Sequence, residues 1–497
     1  MSLYLELKSR ANKSPDSIAI ISNNEEHTYK KLLLDINKVS SSLKHYHIDK
    51  NDHIGILCAN QIEHIHLLFG LNKIGAVAVP INIMQPEIII MHIIENSRIK
   101  LLFAEANLIK MAGDLIEKLA DYDIKTIVIN SDNVDNDNLI SYKDFLNKPY
   151  EETDIIENKD QNAVLLYTSG TTGLPKGVLL SNRNLLSNVK YFGLTMQIPE
   201  KYKAILSLPM FHSFGQIVLL VCLFGNITTI LISQFLPSTI LKLISSYQAE
   251  ILPLVPTMFN LILEAAKKKN VSLSSVKYCI TGGAAIPISL YDKLLKETNA
   301  CIIEGYGLTE TSPVITISNS KNCYKKDSVG KVLDCLYMKI AEDGEILVRG
   351  DSVVTEYWND EISSQEGFSE DGYFKTGDIG YIDNDGFVFI TDRKKDLIIR
   401  AGENISPKQI EDMLLHLDGI KDVAVFGVKD EKLGEAIYCA VECEDHIDAN
   451  YIKSICKSNL QKHLIPEDVI IMPTLPRNSL GKILKYKLQE SFALPVV

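Results

Sequence analysis

From Ile54 to about Arg349, apolar strand-like runs (Ile54 to Cys58, Lys125 to Ile129, Ala204 to Leu208, Val276 to Thr281) alternate with helical patterns. That rhythm demands parallel strands joined by helical crossovers, a layered α/β body. The segment Gln61 to Ile74 sets Ile62, Ile65, Leu68 and Phe69 on one side of such a helix. At 497 residues the chain outgrows a single core, because cores stop growing at about 250–300 residues. The rhythm accordingly changes twice. After Gly344 short strands follow one another, with Asp-Gly turns at Asp343-Gly344, Asp371-Gly372 and Asp385-Gly386. Beyond Asp396 a small α+β unit is expected, opened by a capping box at Ser406-Pro407-Lys408-Gln409 and a helix carrying Ile410, Met413, Leu414 and Leu417. Strands over Val423 to Val428, Ala436 to Val441 and Val469 to Met472, with a helix near Tyr451 to Leu460, complete it. The expected fold class is α/β: a large multi-layer N-terminal domain of mostly parallel sheets with a small β-rich section, then a small mobile α+β C-terminal domain. The boundary falls near Asp392 to Asp396.

The balance of residues excludes several functions. Hydrophobic content of 46% and charge of 23% suit a globular protein. A net charge of -12 leaves no concentrated basic surface for nucleic acid or an anionic membrane. Lys267-Lys268-Lys269 reads as a solvated helix end. Nine cysteines without C-x-x-C spacing make neither a disulfide framework nor a zinc site and fit a reducing cytoplasm, Cys439 and Cys443 being small hydrophobes of a strand. Met1 to Arg10 has no secretory character, and Ile217 to Ile232, interrupted by Gly225, Asn226 and two threonines, falls short of an integral membrane segment.

Chemistry is concentrated in Tyr167-Thr168-Ser169-Gly170-Thr171-Thr172-Gly173-Leu174-Pro175-Lys176-Gly177, delivered by a buried strand at Ala163 to Tyr167. Glycines admit close approach of backbone to phosphate, while hydroxyls and the Lys176 ammonium donate to anionic oxygen. The run lacks the G-x-x-x-x-G-K-[ST] spacing, which disfavours an ordinary NTPase. Four further segments follow in order: Glu304-Gly305-Tyr306-Gly307-Leu308-Thr309-Glu310, Tyr373-Phe374-Lys375-Thr376-Gly377-Asp378, Asp392-Arg393-Lys394-Lys395-Asp396, and Pro476-Arg477-Asn478-Ser479-Leu480-Gly481-Lys482. Over nearly its whole length the chain thereby resembles the acyl-adenylating (AMP-binding) superfamily, and bacterial fatty-acyl-CoA synthetases most, Leu252 to Phe259 included.

The resemblance implies a division of labour. A large ATP- and acyl-binding domain spans 1–392, a hinge 393–396 with Lys395 at its centre, and a small catalytic lid domain 397–497. ATP is held by Thr168, Ser169, Gly170, Thr171, Thr172, Gly173 and Lys176, by Gly283 and Ala284, and by Glu304, Gly305, Tyr306, Gly307 and Thr309. Tyr306 lies against adenine, Asp378 reaches the ribose, Arg393 the ribose or phosphate, and Glu310 holds Mg2+. Catalysis is implied for Thr168, Glu310, His212 and Lys482, the last bridging carboxylate and α-phosphate during adenylation. Joining two anions rests on positioning and on positive charge where negative charge accumulates. Retention of Lys176, Glu310, Asp378, Arg393 and Lys482 argues against an inactive acyl-adenylate sensor.

The implied reaction is activation of a medium- or long-chain fatty acid to acyl-AMP and transfer to coenzyme A. An amino acid is disfavoured because Ala204 to Gly225 holds no acidic residue to face an α-ammonium, and Met210 to Gly215 stands where amino-acid-activating relatives carry an aspartate. The aliphatic run Ile217 to Phe224 offers a wall for an alkyl chain. Two departures, a short Val329 to Gly350 segment and Gln409 in place of glutamate, leave an acyl carrier protein as alternative acceptor; an aryl acid stands as a separate alternative substrate. The acidic chain tilts the choice to coenzyme A.

Overall fold

The computed structural model describes residues 1–111, 115–131, 139–168, 174–321, 323–430, 432–477 and 481–492. Packing divides the chain into two compact units, one of Met1–Tyr337 with Val348–Phe374, the other of Met338–Leu347 with Lys375–Val497. This division falls earlier in the chain than the boundary expected near 392.

The first unit is built on two sheets. In one, nine strands run in the order Lys331–Val332, Val314–Asn319, Cys301–Gly307, Tyr278–Gly282, Ile251–Pro253, Lys203–Leu206, Thr228–Leu231, Ile18–Ser22 and Glu25–Thr28. The strands from Cys301–Gly307 through Ile18–Ser22 are parallel, so the loops at their carboxyl ends gather on one edge. In the other, eight strands run Tyr357–Trp358, Lys176–Ser181, Asn162–Thr168, Val77–Pro80, His53–Leu57, Leu101–Glu105, Lys125–Ile129 and Leu139–Ser141. The expected strands are present, most of them shifted by a residue or two. Ile18–Ser22, upstream of the run of alternation, also enters the first sheet, beside Thr228–Leu231.

The helix Ile62–Ile74 departs from the one-sided expectation, since every residue from His64 to Ile74 is buried. It packs against other helices as well as strands, and its polar residues find distant partners: the Asn72 Oδ1 accepts from the Tyr4 N–H at 3.0 Å and Lys73 donates to Asn37 at 3.0 Å. Ser213–Phe224 is likewise buried without a break from Gly215 to Phe224, so it is core and not an open tunnel wall. Lys267 to Lys269 end the helix Pro256–Lys269 in solvent, as expected. No helix among the described residues is long and apolar enough to cross a membrane.

Two further sheets lie largely in the second unit. Leu336–Ile340, Glu345–Gly350, Phe374–Ile382 and Val388–Arg393 form one, with Gly344 at φ 86 and Gly386 at φ 81 turning its hairpins. Only glycine takes such φ freely. The other pairs Glu403–Ile405, Ile398–Arg400, Gly434–Cys443 and Ile420–Asp430, with Asp468–Ile471 parallel to Gly434–Cys443. Its core includes Ile410, Leu414, Val425, Cys439 and Ile452. The helix Pro407–Leu415 starts where expected, yet Ser406 makes no side-chain cap bond. The capping box is therefore not formed. Pro407 at the first helical position presets the backbone by itself.

Candidate active site

In the first unit the site grows from the carboxyl edge of the parallel strands. Glu304, Gly305, Tyr306 and Gly307 occupy the last residues of the strand Cys301–Gly307, which pairs Gly305 with Gly282. The Glu304 carboxylate accepts from the Ile286 N–H at 3.1 Å, fixing the turn that contains Gly283 and Ala284. Gly283 has φ +80 and is exposed, as is Ala284. A Cβ on Gly282 would sit 2.9 Å from the Gly305 carbonyl, so glycine alone lets these strands meet here. Gly307 is tighter, a Cβ there falling 1.8 Å from the Pro313 carbonyl. Tyr306 is half-buried and not part of the core.

The next turn, the 3-10 helix Thr309–Thr311, carries Glu310, only 8% exposed. The Tyr357 hydroxyl donates to Glu310 Oε1 at 2.8 Å. Burial, and then the negative charge of Glu310, push the Tyr357 phenol far up, so it stays a donor. The Lys176 ammonium lies over the Tyr357 ring, 5.4 Å from its centre. Lys176 opens the strand Lys176–Ser181 and pairs in register with Thr168, the last residue of Asn162–Thr168. Ser169, Gly170, Thr171, Thr172 and Gly173 lie outside the described residues.

His212 immediately precedes the helix Ser213–Phe224, and burial lowers its pKa to about 4. A neutral imidazole offers a hydrogen bond and no charge. Beside it Ser213 Oγ lies 3.4 Å from Thr309 Oγ1, and the Phe214 ring borders Gly282. His212, Thr309, Glu310 and the glycine turn are thereby brought to one edge.

The second unit holds its own cluster. Asp378 and Arg393 face each other on neighbouring strands, with Arg393 Nε donating to Asp378 Oδ1 at 2.9 Å while Asp378 is 2% exposed. Lys395 sits in the one-turn segment Lys394–Asp396, its pKa lowered first by burial and then by Arg393. Lys394 is pinned instead, donating to Asp343 at 2.6 Å and Glu345 at 2.8 Å. Lys482 feels the same group. Burial first, then the cations Arg393 and Lys395, bring its ammonium down to about 8 against the pull of Asp378 and Asp396. The motifs ending at Asp378, Asp396 and Lys482 therefore converge within this unit.

Mg2+ suits Glu310. The ion binds through one or two carboxylates together with substrate phosphate and water oxygens, and Glu310 is a single carboxylate fixed by a tyrosine donor beside a lysine. Among the described residues no cluster of three or more His, Cys, Asp and Glu could hold a metal unaided. When bound, the ion would neutralise phosphate charge. Two residues that sequence reasoning passed over matter here, Tyr357 on Glu310 and Asn60 behind the His212 turn. Neither belongs to a motif.

The AMP-binding enzyme family matches residues 7–358, and the AMP-binding enzyme C-terminal domain matches residues 409–482. A long-chain-fatty-acid–CoA ligase, FadD13 of Mycobacterium tuberculosis, is 30% identical over 99% of this chain and 98% of its own length. A 2-succinylbenzoate–CoA ligase of Listeria monocytogenes is 29% identical over 97% of this chain and 98% of its own. Among solved structures, o-succinylbenzoate CoA synthetase (MenE) of Bacillus subtilis with its acyl-adenylate intermediate superposes at a TM-score of 0.86 and 27% identity over 98% of both chains. The same enzyme with ATP and magnesium ion gives 0.85 and 28%, over 97% of this chain and 98% of that one.

Proposed function

The chain belongs to the AMP-binding enzyme family, and from that premise we propose that it activates an uncharged-bodied monocarboxylic acid of the fatty-acid class. It is an AMP-forming acid–thiol ligase that draws on ATP, Mg2+ and coenzyme A. In the first step a carboxylate oxygen of the acid attacks the α-phosphorus and pyrophosphate leaves. In the second the coenzyme A sulfur attacks the acyl carbon and AMP leaves.

One observation carries the choice of acid. The segments that follow four neighbouring parallel strands, 207–224, 254–259, 283–288 and 308–317, contain no lysine or arginine. A second carboxylate on the acid, as 2-succinylbenzoate has, would find no counter-charge there. Leaving such a charge unpaired in a buried site costs several kcal/mol or so. Glu310 is their only acidic residue and faces Tyr357, so an ammonium group is no better served.

We assign the remaining roles on the same reading. Lys176 and the hydroxyl-rich loop beside it bind polyphosphate, Tyr306 receives adenine and Asp378 with Arg393 takes the ribose hydroxyls. Neutral His212 orients the acid. Lys482 supplies positive charge to the α-phosphate during adenylation, and Lys395 marks the hinge about which the C-terminal part moves between the two steps. The test is a pair of acids of equal length, dodecanoate and dodecanedioate, compared by kcat/KM for acyl-CoA formation. The mono-acid is expected to win by about a hundredfold or more, as a charge cost of that size implies. Equal turnover would refute the substrate assignment.

A further inference from the structure

The strand His53–Leu57 lies between Val77–Pro80 and Leu101–Glu105, so the strand order of the second sheet reverses at its carboxyl end. Open α/β sheets usually take ligands in that crevice. Here its polar groups are spent within the protein. The Ala59 N–H donates to Glu105 at 3.3 Å, and the Asn130 amide donates to Gln61. Asn60, 5% exposed, reaches across to the other sheet. Its Nδ2 donates to the Leu208 carbonyl at 2.8 Å, and its Oδ1 accepts from the Met210 N–H at 2.8 Å.

We propose that Asn60 is a positioning residue for the acid end of the site, its amide clamping both sides of Pro209 and so fixing the turn that carries Phe211 and His212. The turn is tight in itself. The His212 N–H donates to the Pro209 carbonyl at 3.1 Å, and a Cβ on Gly215 would sit 2.2 Å from that same carbonyl. A unit this closely wound moves as one body, so its attachment decides where His212 points. Asparagine alone among side chains of this size offers a donor and an acceptor side by side. Aspartate would keep the Met210 bond and lose the Leu208 bond.

The inference rests on the reading of His212 as part of the acid site, and the experiment separates the two. Asn60→Asp, Asn60→Ala and His212→Ala are assayed by ATP–pyrophosphate exchange, with KM taken separately for ATP and for whichever of octanoate, dodecanoate and hexadecanoate exchanges fastest. Loss of one or two buried hydrogen bonds at the turn is expected to raise the acid KM by about tenfold in both Asn60 variants. The ATP KM stays within about twofold, a split that a general loss of stability would not produce. An unchanged acid KM in Asn60→Asp, or a parallel rise in both KM values, overturns the inference. If Asn60→Ala does not fold, the isosteric Asn60→Asp decides alone. A raised acid KM in His212→Ala with none in the Asn60 variants refutes only the clamp, whereas no change in His212→Ala removes the reading beneath it.

Discussion

Lys482 is the residue whose titration the structure perturbs most usefully. Removal from water and the nearby Arg393 and Lys395 bring its pKa to about 8, where an ordinary lysine titrates near 10.4. If the ammonium form carries adenylation, activity is complete below that value and falls as pH rises through it. The protonated fraction drops about tenfold between pH 7 and pH 9 for a group at 8, and by less than about 5% for an ordinary lysine. The quantity to follow is kcat/KM for ATP in pyrophosphate exchange, because it reports the free enzyme. Saturating ATP should move the limb upward, since polyphosphate charge favours the ammonium. Lys482→Arg, charged throughout, should keep its residual exchange flat across the range. Thioester formation from supplied acyl-AMP should not show the limb at all. A wild-type profile level to pH 9.5, or the same limb in both half-reactions, would refute the reasoning.

Tyr357→Phe removes the hydroxyl that orients Glu310. A hydrogen bond to a charged group is worth about 1.5–3 kcal/mol, so the Mg2+ concentration for half-maximal exchange should rise about tenfold or more, and direct Mn2+ binding in the presence of ATP should weaken alongside. Gly307→Ala forces a Cβ to within 1.8 Å of the Pro313 carbonyl. Backbone must shift, and unfolding in urea should report a loss of about 1–3 kcal/mol; an unchanged midpoint would mean the strands Cys301–Gly307 and Val314–Asn319 part without cost.

The alternation of apolar runs made the strands legible, because a strand buried on both faces in a parallel sheet is an apolar run whatever else surrounds it. Helices were read less well. Ile62–Ile74 looked one-sided because His64, His66, Asn72 and Lys73 are polar, yet all four are buried, Asn72 and Lys73 against partners far along the chain. The compact units divide before the boundary expected near 392, because the strands Phe374–Ile382 and Val388–Arg393 pair with each other and Gly380 bonds back to Gly344. Motif residues at the site were legible because ligand chemistry dictates their type. Tyr357 and Asn60 were not, since what they do depends on contacts 47 and 148 residues away.

The central claim is an acid–thiol ligation that cleaves ATP between its α- and β-phosphates. The most direct test is mass spectrometry of the purified protein incubated with ATP, Mg2+, coenzyme A and a graded set of fatty acids, counting products. AMP, pyrophosphate and a fatty-acyl-CoA in equal amounts are expected, with Lys482→Ala forming none of them from free acid. ADP with inorganic phosphate, or AMP formed without any acid being consumed, would contradict the account.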